Sequence, residues 1–165
     1  MKKLPVYLTE KEYGDLLKVT KKKRNILAFG LGYCSGLRIS EILNLQQSDI
    51  DLKSHSILIR QGKGKKDRVT PLPKGFSAKS LAMLPIQCTP RALQIAFKKA
   101  VIKACIQKQG LHFHSLRHGF AVRAIEKGIP LNQVQLLLGH ANVATTGIYL
   151  HANPRDALAS YERLF

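Results

Sequence analysis

The hydrophobic pattern of the chain changes once, near residue 50, and this change sets the expected fold class. Residues 56–60, Ser-Ile-Leu-Ile-Arg, are typical of a strand, and residues 68–72, Arg-Val-Thr-Pro-Leu, of its partner. The segment 61–67 between them holds two glycines and three lysines, which predicts a hairpin turn with a basic tip. Helical patterns flank this hairpin on both sides. We therefore expect a mostly α protein with a small antiparallel β-sheet, an α+β fold.

Capping residues and glycine stops mark the predicted helices. Thr9 and Glu12 have the spacing of a capping box, which predicts a helix from about residue 10 to Val19. Thr89 and Pro90 open another helix, which runs to about Gln107. Residues 73–88 are expected to form a loop. The remaining predicted helices cover about residues 25–34, 39–46, 115–127 and 131–138, a short stretch ending near 149, and 153–165.

Length and composition limit the class of protein. A chain of 165 residues fits one domain. The longest nearly apolar stretch, Ile26 to Leu37, has 12 residues, whereas a membrane span needs roughly 18. Without a secretory signal pattern, the expected location is cytoplasmic, with no membrane partner. Three widely spaced cysteines, an odd number, argue against both a disulfide framework and a zinc site.

Positive charge is the strongest compositional signal. The chain has 27 Lys and Arg residues against 10 Asp and Glu residues, a formal net charge of +17. Such an excess favours a polyanionic partner, because contacts with phosphates release condensed counterions. Charge alone leaves DNA, RNA and anionic lipid open as partners.

A histidine-rich segment, residues 111–118, lies where a helix is predicted to begin. Taken alone, its three histidines also fit two packed side chains and one surface side chain. A zinc site is less favoured, because no cysteine or carboxylate lies nearby and the metalloprotease pattern requires an adjacent glutamate. His114 and Arg117 are three residues apart and share one helix face, which suits them to bind a phosphate.

Three segments resemble the conserved boxes of the tyrosine recombinases, the phage integrase and Xer family. Residues 36–43, Gly-Leu-Arg-Ile-Ser-Glu-Ile-Leu, are similar to the first box, and residues 114–118, His-Ser-Leu-Arg-His, to the second. Residues 137–149 resemble the segment that ends in the nucleophilic tyrosine of the family. The resemblance extends from about Leu8 to the last helix, and residues 73–110 match only in general pattern.

The resemblance implies a DNA strand transferase that requires no metal, ATP or other cofactor. Tyr149 would attack a phosphodiester of double-stranded DNA, form a 3′-phosphotyrosyl link and release a 5′-hydroxyl. The implied catalytic residues are Arg38, Lys63, His114, Arg117, His140 and Tyr149. The arginines would clamp the non-bridging oxygens and His140 would donate a third hydrogen bond to them. Lys63 would protonate the leaving oxygen, and His114 would assist proton movement or positioning.

The chemistry of phosphodiester cleavage calls for these residue types. Negative charge concentrates on the phosphate oxygens in the transition state, and planar arginines match that geometry better than lysine does. The 5′-alkoxide is a poor leaving group, so a lysine on a hairpin tip is a suitable acid. Lys65 and Lys66 compete with Lys63 for this role, and the flanking glycines favour Lys63.

Further residues are expected to support the site or to contact DNA. Glu41 would hold the side chain of Arg38, and His118 would pack behind the site. The basic runs are interpreted as contacts with the DNA backbone, because solvated faces are less expected at this net charge. The predicted DNA contacts are Lys21, Lys22, Lys23, Arg24, Lys65, Lys66, Arg91, Lys98 and Lys99.

The predicted function is that of a site-specific recombinase or integrase, and two alternatives stay open. A type IB topoisomerase would use similar chemistry to relax supercoils, and a non-catalytic basic protein would only bind DNA. Family members usually carry a separate N-terminal core-binding domain, and we expect residues 1–165 to be a single catalytic domain without it. The segment 153–165 resembles the tail helix that family members pass to a neighbouring protomer, which raises the hypothesis of a homo-oligomer on DNA.

Overall fold

A computed structural model of the chain describes residues 5–60 and 67–139. Within these ranges, helices surround a three-stranded antiparallel sheet with strand order β1-β2-β3. The helices are α1 Glu10–Val19, α2 Lys23–Ser35, α3 Ile39–Asn44, α4 Ala78–Leu81, α5 Pro90–Lys103, α6 His114–Glu126 and α7 Leu131–Leu138. The strands are β1 Ile50–Asp51, β2 Ser56–Ile59 and β3 Arg68–Pro71, and a 3₁₀ turn, Gln47–Asp49, precedes β1.

Two local signals fix the N-terminal helices. The predicted capping box is present: the backbone N–H of Glu12 donates to Thr9 Oγ1 at 3.2 Å, and that of Thr9 donates to Glu12 Oε2 at 2.8 Å. Gly36 ends α2 in the left-handed conformation, with φ of 68°. A Cβ atom at this position would lie 2.6 Å from Phe120. The tight turn at Gly36 places Arg38 at the corner between α2 and α3.

Strand β3 turns its polar side chains inward. Arg68 and Thr70 are buried, whereas Val69 between them is 54% exposed. The hydroxyl of Thr70 donates to the backbone oxygen of Ser35 at 2.6 Å, which satisfies one buried group. Because successive residues of a strand face opposite sides of the sheet, this contact and the position of Arg68 belong to the same face. The strand therefore aims Arg68 at the helices.

The core is formed mainly by the packing of α2 against α6. Three rings, Phe29, Phe97 and Phe113, meet edge to face with centroids 5.7 to 6.0 Å apart. The helices approach closely at Gly119, where a Cβ atom would lie 2.7 Å from the ring of Tyr33. Phe113 directly precedes His114, so the aromatic core fixes the point at which α6 begins.

The α+β class with a small antiparallel sheet is confirmed, and several boundaries were wrong. The helix predicted over 39–46 ends at Asn44, and the 3₁₀ turn follows it. The predicted loop 73–88 contains α4, and the helix predicted to reach Gln107 ends at Lys103. The sheet also has a third strand, β1, which pairs with β2 through Ile50 and Ile57. A two-residue strand has too little periodicity to be detected in the sequence.

The described part of the chain offers no membrane span. No helix there is long and apolar enough to cross a bilayer. Likewise, in residues 5–60 and 67–139, no group of three or more His, Cys, Asp or Glu is arranged to hold a metal ion.

Candidate active site

Arg38 and Glu41 form the first part of the site, at the start of α3. Arg38 donates from Nη1 to Glu41 Oε1 at 2.8 Å, and the backbone N–H of Arg38 donates to Glu41 Oε2 at 2.7 Å. The spacing of three residues brings both groups onto one helical turn. The Arg38 side chain is 23% exposed, so part of its guanidinium faces solvent while Glu41 orients it. Glu41 therefore contacts the side chain of Arg38, which it is predicted to support.

Arg68 brings a second guanidinium to the same carboxylate. Its Nη1 and Nη2 donate to Glu41 Oε1 and Oε2 at 2.8 and 2.7 Å, a bidentate pair. Its Nε donates to the backbone oxygen of Leu137 at 2.9 Å, near the end of α7. The sequence patterns place Arg68 in a strand and do not identify it as a site residue.

Arg117 approaches the cluster from α6 and is buried. Its Nη1 donates to the backbone oxygen of Gly36 at 2.6 Å, and its Nη2 to that of Leu138 at 2.6 Å. Nη1 also lies 3.9 Å from Glu41 Oε2. The residue is only 1% exposed. The carboxylate of Glu41 therefore lies between Arg117 and Arg38, and two backbone carbonyls accept hydrogen bonds from Arg117.

Glu41 is ionised at neutral pH despite its burial. Burial opposes ionisation, but the hydrogen bonds from Arg68 and the backbone N–H of Arg38, together with both guanidinium charges, outweigh it and lower the pKa of Glu41. The ionised carboxylate of Glu41 therefore lies within ion-pair distance of three arginines. The resulting cluster (Arg38, Glu41, Arg68 and Arg117), which we call the arginine cluster, carries a surplus of positive charge.

His114 lies at the first turn of α6, in the wall of a cavity of about 480 Å³. Partial burial of its imidazole, together with the nearby charge of Arg117, lowers the pKa of His114 to about 4. The ring is therefore neutral at pH 7. The ring of His118 packs edge to face against it, with centroids 4.8 Å apart.

Basic side chains of α5 border the same cavity. Arg91 and Lys98 line it together with His114 and Ile39. A neighbouring cavity of about 510 Å³ is lined by Lys99 and Lys103 of α5 and by basic residues of the α1–α2 turn, among them Lys22. Ile95 lines both cavities, so they adjoin. We call this surface the basic groove; its predicted DNA contacts are Lys21, Lys22, Arg24, Arg91, Lys98 and Lys99. Lys23 is exposed beside it.

Five predicted site residues lie outside the described residues. These are Lys63, Lys65, Lys66, His140 and Tyr149. Two described parts of the chain border these residues, and each part contacts the arginine cluster. Arg68 begins the strand that follows segment 61–66, and Leu138 ends the helix that precedes His140.

Comparison with protein families gives a match over nearly the whole chain. Residues 6–85 and 76–156 match the model of the phage integrase family. A tyrosine recombinase of Thermosipho africanus is 33% identical over 99% of this chain, and tyrosine recombinase XerA of Thermococcus onnurineus is 36% identical over 90% of it. The chain spans 63% and 58% of the length of these two relatives, respectively.

Solved structures give the same result. A crystal structure of XerA recombinase superposes with a TM-score of 0.75 and 27% identity, over 98% of this chain and 66% of that one. XerH bound to its palindromic difH substrate in a post-cleavage complex has a TM-score of 0.77 and 26% identity, over 97% of this chain and 53% of that one. The catalytic domain of bacteriophage HP1 integrase has a TM-score of 0.70 and 26% identity, over 95% of this chain and 94% of that one. The chain belongs to the phage integrase family.

Proposed function

We propose that this chain cleaves and rejoins DNA strands as the catalytic part of a site-specific recombinase or integrase. The observation that carries the proposal is the meeting of Arg38 and Arg117, from distant parts of the sequence, at the carboxylate of Glu41. The likeness to the HP1 integrase catalytic domain, over 94% of that chain, supports a catalytic domain in these residues.

The arginine cluster suits the charge that develops on a cleaved phosphodiester. Arg38 is partly exposed and is oriented by Glu41 before any ligand arrives, which is the preorganisation that stabilises a transition state. Arg117 is enclosed by the carbonyl oxygens of Gly36 and Leu138. For Arg117 to contact a phosphate, its guanidinium has to become accessible, since the residue is 1% exposed. In this proposal the arginines supply the positive charge that a metal ion supplies in other phosphoryl-transfer sites.

His114 is suited to handle a proton. A neutral imidazole accepts a proton or a hydrogen bond at one nitrogen while donating from the other. Because the pKa of His114 is lowered to about 4, the ring is available as an acceptor throughout the neutral range. We propose that it assists removal or positioning of the proton of the attacking tyrosine.

The remaining roles rest on the resemblance and on family membership. Tyr149 is proposed as the nucleophile that forms the 3′-phosphotyrosyl link, and its phenol needs activation because it is largely protonated at pH 7. Lys63 is proposed as the acid for the 5′-oxygen and His140 as a donor to the phosphate. Support comes from the sequence position of Lys63, in the segment between β2 and β3, and of His140, directly after Gly139.

Double-stranded DNA is the proposed partner, and the basic groove is its proposed contact surface. The XerH structure holds its difH substrate, and its likeness to this chain supports DNA as the substrate class here. The groove borders the cavity of His114, so a duplex bound along it would lie beside the site. We further propose that segment 153–165 docks on a second copy of the chain when several copies assemble on DNA.

A suicide substrate tests the proposal directly. The chain is incubated with duplex DNA that carries a nick beside candidate cleavage sites, and the products are separated on a denaturing gel. Wild type is expected to form a covalent protein–DNA adduct, because release of a short strand across the nick traps the phosphotyrosine. Tyr149→Phe is expected to form none, since it lacks the attacking oxygen.

Tyr7→Phe is the matched control, because it removes a hydroxyl from a half-buried tyrosine and keeps the ring that Lys108 contacts. It should form the adduct at the wild-type rate. An adduct with Tyr149→Phe would refute the assignment of the nucleophile. Relaxation of a supercoiled plasmid without site preference would indicate topoisomerase activity. DNA binding with no adduct on any substrate would indicate a binding protein.

A further inference from the structure

We propose that Arg68 is a positioning residue of the phosphate site, acting through Glu41 on Arg38 and through the end of α7 on the chain that enters His140. The proposal rests on the proposed function and assigns a residue that neither the sequence boxes nor the reaction chemistry identifies.

The burial of Arg68 excludes a direct role at a DNA phosphate in this arrangement. Its side chain is 7% exposed, compared with 23% for Arg38. All three of its guanidinium nitrogens donate to protein acceptors, two to Glu41 and one to Leu137. An arginine held in this way is fixed in place, so it acts through the groups that it holds.

The contact with Glu41 controls the orientation of Arg38. Glu41 accepts from Arg68 on both oxygens and from Arg38 on both oxygens. Without the bidentate pair, the carboxylate is free to rotate about its own side chain and to carry Arg38 with it. In the part of the chain that the structure describes, Arg38 uses one guanidinium nitrogen for this contact, Nη1. The rest of its donor fork is directed by the position of Glu41.

The contact with Leu137 ties the same guanidinium to α7. Arg68 holds the carbonyl of Leu137 and Arg117 holds that of Leu138, so two arginines fix consecutive carbonyls at the end of the helix. Gly139 follows with φ of 64°, and a Cβ atom there would lie 2.8 Å from Cδ of Arg68. Arg68 therefore packs against the turn from which the chain continues into His140.

The test compares a natural phosphodiester with a methylphosphonate at the cleaved position. A methyl group in place of one non-bridging oxygen removes the negative charge that Arg38 is proposed to stabilise. On the phosphodiester, Arg68→Met should slow adduct formation by about 100-fold. This is the scale for loss of one transition-state donor, here Arg38, which the variant no longer holds in position. On the methylphosphonate, the same variant should come within a few-fold of wild type. On the phosphodiester, the rate of Arg68→Lys should fall between those of wild type and Arg68→Met, because an ammonium cannot bind both carboxylate oxygens and a carbonyl in the same geometry.

Arg123→Met is the matched control for loss of stability. Arg123 is a half-buried arginine of α6 that, like Arg68, donates to a backbone carbonyl, that of Tyr33 at 2.7 Å. Among the described residues it has no contact with Glu41. This variant should melt at a lower temperature and keep the wild-type ratio of rates on the two substrates.

Two outcomes overturn a proposal, and each overturns a different one. A rate loss for Arg68→Met that is equal on both substrates, or no loss at all, overturns the positioning role and leaves the proposed function intact. Failure of wild type to form an adduct on either substrate overturns the proposed function itself. If Arg68→Met does not fold, Arg68→Lys replaces it in the comparison of the two substrates. In addition, the single variant Arg38→Ala is compared with the double variant Arg38→Ala/Arg68→Lys. If Arg68 acts through Glu41 on Arg38 alone, the double variant is no slower than Arg38→Ala, and any additional slowing measures the route through the end of α7.

Discussion

The arginine cluster and the basic groove use the same kind of charge in opposite ways. In the arginine cluster, three guanidinium groups surround one carboxylate, and Arg68 and Arg117 are both buried. In the basic groove, side chains such as Lys22 and Lys99 are exposed to solvent. The first arrangement fixes the geometry of the arginine side chains. The second leaves positive charges in solvent, where they attract a polyanion over a longer range. Substitutions in the two regions should therefore change different quantities.

The largest expected effect is the loss of stability in Glu41→Gln. Removing the carboxylate takes away the negative charge that these three guanidinium groups share, and breaking a buried ion pair in this way costs about 3–5 kcal/mol. Urea denaturation of both proteins measures the free energy of unfolding. Glu126→Gln, which changes an exposed carboxylate at the end of α6, should stay within about 0.5 kcal/mol of wild type. A loss below about 1 kcal/mol for Glu41→Gln would mean that the arginine cluster does not depend on its carboxylate.

An intermediate effect is expected from His114, which links the two regions. Its folded pKa is about 4 against an ordinary value of 6.5, so between these pH values the unfolded chain binds a proton that the folded chain excludes. Stability from this residue is fully present above about pH 6.5 and is lost as the pH falls towards 4. His114→Gln should therefore lose less stability than wild type over this window. Parallel melting curves from pH 4 to 7.5 measure the difference. Curves with the same pH dependence would show that His114 titrates normally.

The smallest effect on stability, and the clearest effect on binding, should come from Lys22→Gln/Lys99→Gln. Each lysine that contacts a phosphate contributes about 0.9 to the slope of log affinity against log salt concentration, so the slope should fall by about 2. Unfolding free energy should change by no more than about 0.5 kcal/mol per site. Fluorescence anisotropy with labelled duplex DNA over a salt series measures the slope.

Lys18→Gln removes one charge from a lysine that is 77% exposed and paired with Asp15, outside the basic groove. It serves as the control for net charge alone and should leave the slope unchanged. An equal change in both proteins would show that overall charge, and not the basic groove, drives binding.

Local signals made much of the fold predictable, together with the contact between Arg38 and Glu41. Thr9 and Glu12 interact within one turn, and Arg38 and Glu41 share a helix start, so neighbouring residues in the sequence determine both contacts. The position of Arg68 had no such signal. Its acceptor Glu41 lies 27 residues earlier, and its strand places polar residues inward and Val69 outward, against the usual alternation.

The enclosure of Arg117 was unpredictable for a related reason. Its acceptors are the backbone oxygens of Gly36 and Leu138, and every residue type has such an oxygen. A family box identifies Arg117 as important but contains no information about which carbonyls cover it. The same limit applies to helix ends such as that of α5 at Lys103, because tertiary packing sets where the last turn stops.

The aromatic packing at Phe113 has a consequence for anyone who wishes to make this protein more heat-resistant. The ring is held by Phe29 and Phe97, and the next residue along the chain is His114. Replacing any of the three rings with a bulkier or smaller one would move the first turn of α6, and the imidazole with it. Thermostabilising libraries should therefore leave this trio unchanged.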